Sequence, residues 1–156
     1  MSISQYLCKI VVSLTIAIFS ALPAIADNKV FDEIAEMKDV EYVYISKSMI
    51  SMFANKQIPG NFKLGDIANQ LESIEIIEIE NKRAIKLAKE KVNSLTNGLE
   101  ILSKIKNGNE KLLICAKKEK DTYSQIIIFV EEHDEITLIN LKGRISSDRL
   151  ALSRNL

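Results

Sequence analysis

The chain has 156 residues, 47% of them hydrophobic, and its 21 basic and 21 acidic side chains cancel at neutral pH. One ordinary domain fits that length. So even a balance of charge exerts no long-range pull on polyanions, which argues against nucleic acid as a partner. Two cysteines, one of them (Cys8) within the first 26 residues, and a single histidine leave no disulfide framework in the rest of the chain and no paired cysteines for zinc.

The first 26 residues have the three parts of an export signal. Lys9 supplies a short positive start, Ile10 to Leu22 form an apolar run, and Pro23 with Ala24-Ile25-Ala26 ends it in small residues before polar Asp27-Asn28. Cleavage is expected between Ala26 and Asp27. The apolar run of 13 residues is short of the roughly 20 needed to span a bilayer, so the segment reads as a removable signal and no transmembrane span is expected afterwards. A lipoprotein signal would place a Cys directly after the small residues, whereas Cys8 precedes the run. The expected organisation is therefore a signal over 1–26 and one domain over 27–156, with the product periplasmic or secreted. Of the cysteines only Cys115 stays, inside Leu112-Leu113-Ile114-Cys115-Ala116, where it reads as a small buried hydrophobe.

Phe31, Ile34, Ala35 and Met37 recur at near-helical spacing and predict a short helix over 29–38. Val40 to Ile45 is β-branched and aromatic and predicts a strand. Ser46 can then cap a helix from Lys47 to Asn55, and Leu64, Ile67, Ala68 and Leu71 suggest another. Ile74 to Ile79 predicts a second strand. Asn81 to about Asn97 is the longest helix, with Ala84, Ile85, Ala88, Val92 and Leu95 on one face and Lys82, Arg83, Lys86, Lys89 and Lys91 on the other.

From Leu99 the period changes to two. A strand through Ile105 is followed by Asn107-Gly108, a two-residue hairpin signal. Further strands follow at Lys111–Lys118, Tyr123–Glu131 and Ile136–Lys142, and Ser146 or Ser147 can cap a short terminal helix. The remaining glycines, Gly143 among them, read as turn markers. Short connections pair consecutive strands antiparallel. Ile126 to Val130, apolar on both faces, belongs at the centre of the sheet. The expected fold is α+β: a C-terminal four-stranded antiparallel meander extended by the two earlier strands and packed against several helices.

No arrangement of residues specifies a reaction. His133 lies in Glu131-Glu132-His133-Asp134-Glu135, but five successive turn residues cannot converge on one ion, and the glycine and spacing of a calcium loop are missing. A Cys115–His133 dyad needs hydrogen-bond contact that a mid-strand and a turn position do not offer. Ser46-Lys47 lacks the Ser-x-x-Lys spacing of serine–lysine hydrolases, so a capping serine beside a solvated lysine is the simpler account. Met37, Met49 and Met52 with Phe53 and Phe62 read as core rather than a soft groove. No catalytic, cofactor or metal residues are expected. The weak surface candidates are Lys82, Arg83, Lys86 and Lys89, whose charge suits peripheral contact with anionic lipid headgroups.

Three stretches, Val43-Tyr44-Ile45-Ser46-Lys47-Ser48-Met49, Leu71-Glu72-Ser73-Ile74-Glu75-Ile76 and Ile136-Thr137-Leu138-Ile139-Asn140-Leu141-Lys142-Gly143, resemble a family of small exported proteins from Gram-negative bacteria. That family is classed as a domain of unknown function, and its members are often taken for lipoproteins. The resemblance extends over nearly all of 28–152 and implies an envelope location, with no activity or catalytic residue to carry over. The expected function is a non-catalytic binding or accessory domain whose partner is an envelope protein or a small ligand. The alternatives are a carboxylate-based hydrolase acting on envelope material, which would need two acids facing each other in a cleft, and a sheet-edge module that pairs with another strand or with itself.

Overall fold

A computed structural model describes residues 26–53 and 65–148. Helix α1 (Ala26–Ala35) is followed by β1 (Glu41–Ser46), α2 (Lys47–Phe53), α3 (Gly65–Ala68), β2 (Leu71–Ile79) and α4 (Lys82–Leu95). Four strands complete the chain: β3 (Glu100–Asn107), β4 (Glu110–Glu119), β5 (Thr122–Glu132) and β6 (Glu135–Ser146). The signal segment lies outside the described residues, as do Pro59-Gly60, Phe62, Leu64 and the chain after 148. The expected cleavage point, Ala26–Asp27, falls on the first turn of α1.

All six strands form one sheet in the order β1-β2-β6-β5-β4-β3, with every neighbouring pair antiparallel. The meander β3–β6 is the one the short turns predict, and β5, which carries Ile126 to Val130, is internal. The first two strands join the same sheet beside β6, which leaves β1 as one edge and β3 as the other.

Helices cover both faces. On one, Phe31 and Ile34 of α1 and Ala84, Ala88, Val92 and Leu95 of α4 pack over Ile77, Ile79, Ile127, Phe129, Ile136 and Leu138. On the other, Ile50 of α2 and Ile67 and Ala68 of α3 pack over Leu71, Ile74, Ala116, Tyr123, Ile126, Leu141 and Ile145. The central strands serve both cores through the alternation of their side chains. Helix α4 starts where Asn81 caps it: its side-chain oxygen accepts from the backbone N–H groups of Arg83 at 2.9 Å and Ala84 at 3.2 Å.

Several local expectations shift. Leu71 is the first residue of β2 rather than the end of a helix, because α3 closes after Ala68 in a turn where Gln70 N–H bonds the Ile67 carbonyl. Helix α2 starts at Lys47 directly after Ser46, as expected, but Ser46 also closes β1 opposite Ser73. The first hairpin turns at Gly108-Asn109, since Asn107 still pairs with Glu110. Gly108 sits there at φ +60°, which glycine adopts at no steric cost. Lys120 (φ 57°) and His133 (φ 47°) hold the same first position in the next two hairpins, each at about 1 kcal/mol of left-handed strain.

Gly143 marks no turn: it lies within β6, beside the irregularity in its pairing with β2. A Cβ there would stand 2.1 Å from the Gln70 carbonyl oxygen, which instead accepts the Arg144 N–H at 2.8 Å. Residues 147–148 continue in helical conformation, and the rest of the expected terminal helix lies outside the described residues.

Candidate functional site

The two sheet edges are built differently. In β3 the pairing with β4 is interrupted between Ile101 and Ser103, and Lys104 and Lys106 line the edge, two devices that keep an edge from pairing with foreign strands. The bulge also breaks the period of two that the sequence shows from Leu99. Leu102 packs toward the second core and Leu99 toward the first, whereas Ile101 and Ile105 stay exposed.

In β1 there is no such device. Its pairing with β2 runs unbroken from Glu41↔Glu78 to Ser46↔Ser73. Tyr42, Val43 and Tyr44 are all exposed, Val43 to 49% and Tyr44 to 57%. Glu41 is its only charge. Helix α2 continues from this strand and contacts β1 and β2. Ile50 holds it to the core, while Met49 and Met52 are exposed, Met52 to 68%. The methionines therefore do not form one core group. Met37 packs against the α1–α4 core, whereas Met49 and Met52 face solvent on α2. The side chains of Phe53 and Phe62 are outside the described set.

Val43 also ends an apolar row that crosses the sheet in register, Val43–Ile76–Ile139–Ile128–Ile114. The four isoleucines of this row are only partly buried against the α2–α3 core.

On the opposite face, a polar chain roots the edge in the sheet. Tyr42 donates its hydroxyl to Glu75 Oε1 at 3.0 Å. Glu75 Oε2 accepts from Asn140 Nδ2 at 2.7 Å and from Lys142 Nζ at 2.8 Å. Asn140 Oδ1 accepts from Gln125 Nε2 at 2.9 Å. Glu75, Asn140 and Gln125 are buried, and every described buried side-chain polar atom has a partner. Burial, and then the hydrogen bond to the Glu75 carboxylate, push the Tyr42 phenol up to about 12, so it remains a donor. With its oxygens already taken by three donors, Glu75 is suited to holding strands together rather than to proton transfer. The alternation puts Glu75 on the face of Ile77 and Ile79 and Asn140 on that of Ile136 and Leu138, but only the β2–β6 register brings the two polar groups together.

The second buried carboxylate, Glu131, is held by Lys89 of α4 and by Lys111 of β4 at 2.9 Å. Burial pushes its carboxyl up, but the two lysines outweigh that and hold it below the usual carboxylate range. The basic face of α4 is thus partly engaged within the molecule: Lys89 meets Glu131 and Lys91 meets Glu33 of α1. Lys82, Arg83 and Lys86 are exposed, and among the described residues none of them makes an ion pair.

The other sequence candidates stay apart. Cys115 is fully buried in mid-strand, and burial raises its thiol pKa. It lies opposite Ile127, and His133 is six residues further along, about 20 Å away at the rise of a strand. His133 stands at the β5–β6 turn beside a shallow depression of about 370 Å³ lined by Glu80, Glu132, His133, Asp134 and Glu135. Among the described residues no group of three or more His, Cys, Asp or Glu is placed to hold a metal ion.

A family model described as a domain of unknown function (DUF4252) matches residues 31–152. No curated protein and no solved structure matches the chain.

Proposed function

The chain belongs to the DUF4252 family of domains of unknown function, and from that premise we propose that it is an exported, non-catalytic binding or accessory domain that docks a partner through β1 and the adjoining α2. One observation carries this reading. Of the eight large hydrophobic side chains exposed among the described residues, five (Tyr42, Val43, Tyr44, Met49 and Met52) fall on this one edge and the helix that continues it. They flank the edge on both faces, Val43 and α2 on one and the two tyrosines on the other, so a strand laid along β1 would cover apolar groups on each side. An edge without bulge, lysine or proline can also add a strand from outside.

The hydrolase alternative has less support. A glycosidase needs one acid held protonated opposite a carboxylate that is free to attack or to activate water. The buried carboxylates among the described residues, Glu75 and Glu131, are both bound to lysine. The exposed cations Lys82, Arg83 and Lys86 support a weaker, lipid-facing contact.

The export half of the proposal rests on the signal pattern of residues 1–26. Both halves are tested in one preparation by placing a photo-crosslinking amino acid at Tyr44 or at Lys104 in the full-length gene and fractionating the cells. The expected result is a chain beginning at Asp27 outside the cytoplasm, with adducts from position 44 and not from 104. A full-length cytoplasmic chain refutes export, and equal labelling from both edges refutes the docking edge.

A further inference from the structure

We propose that the partner docked on β1 is a second copy of this chain, joined edge to edge by antiparallel pairing about a two-fold axis at Tyr44. This inference rests on the reading of β1 as the docking edge and adds the identity of its occupant.

A two-fold axis through an edge strand leaves each sheet face continuous across the joint, so a residue meets only residues of its own face. With the axis at Tyr44, that side chain meets its own copy, Val43 meets Ile45, Tyr42 meets Ser46, and Glu41 comes opposite Lys47. No like charges face each other. The one acidic residue of the strand stands across from the basic residue that follows it, and both are exposed. Cross-strand pairs of apolar, aromatic and opposite-charge type are the ones that stabilise sheets.

The apolar row gives a second reason. Val43 ends the row that crosses the sheet through Ile76, Ile139, Ile128 and Ile114. Setting Val43 against Ile45 of the other copy extends that row into the second molecule and covers its open end. The β3 edge cannot pair in this way: self-pairing would set its bulge and Lys104 and Lys106 against another such edge. Tyr42 is fastened to Glu75 of the neighbouring strand, while Tyr44 is exposed at the edge.

The test uses the protein expressed from its full-length gene and purified as the cell leaves it. Sedimentation should give a dimer. Tyr44→Lys, at an exposed position, should leave the circular dichroism of the folded chain unchanged but weaken association by about 100-fold, since it sets two cations face to face, and should lower the melting temperature only as far as the lost association does. Tyr44→Cys should form a covalent dimer on addition of oxidised glutathione, because directly opposed strand residues lie within disulfide reach. Ile105→Cys on the other edge, and the unaltered chain, should not.

A monomer at every concentration overturns the proposal, as does a dimer that is indifferent to Tyr44→Lys and not trapped by Tyr44→Cys. If the monomer's photo-crosslinker at position 44 captures a different protein, self-pairing is wrong while the docking edge stands. If that crosslinker captures nothing, both fall.

Discussion

Single residues carry two features that composition could not rank. Asn140 is fully buried and bridges Glu75 to Gln125. Replacing it by leucine keeps the branched shape but strips a donor from one carboxylate oxygen and orphans the Gln125 amide. Asn140→Leu is expected to lower stability by about 2–3 kcal/mol in urea unfolding; a loss below about 0.5 kcal/mol would mean that water takes over its bonds. Gly143 is needed for space rather than for turning. A methyl group there meets backbone at 2.1 Å, not a side chain that can swing aside, so Gly143→Ala is expected to destabilise by about 1–3 kcal/mol. A neutral result would show that the Gln70 turn yields easily.

At the scale of elements, each helix is defined by its ends and by the face it buries. Helix α4 has a strong N-terminal signal in Asn81, whose side chain serves two backbone donors. Asn81→Ala is expected to cost about 1 kcal/mol, read as a lower urea midpoint with an unchanged slope. The long helix and the succession of hairpins were legible in the sequence because capping, period and turn chemistry are local, although the first turn falls one residue later than Asn107-Gly108. The ends of β2 and β6 were not. Leu71 fits a helical face as well as a strand, and Gly143 looks like punctuation until Gln70 is brought against it. The two edges were equally opaque. The alternation of β3 suggests one clean face, yet a bulge between Ile101 and Ser103 divides it. Only pairing order reveals that among the described strands β1 has no neighbour on one side.

For the molecule as a whole, Glu131 ties α4 to β4 and β5 through Lys89 and Lys111. Its folded carboxyl lies below its ordinary value of 4.5, so it contributes stability that is present above that pH and lost as pH falls through the folded value. Stability in urea should therefore be level near neutrality and decline below about pH 4.5. Glu131→Gln should flatten part of that decline; an unaltered acid slope in the variant would assign the effect to other carboxylates.

By itself the sequence determined the element order, the antiparallel meander, the internal place of Ile126 to Val130 and the burial of Cys115, because hydrophobic period and turn residues act over a few positions. Tertiary structure alone decided which strands are edges, which lysines are spent within the molecule, and that Glu75 and Asn140 bond each other inside the sheet. Those outcomes depend on contacts between residues far apart in the chain: Asn140 reaches Glu75 only after two strands 65 positions apart lie side by side.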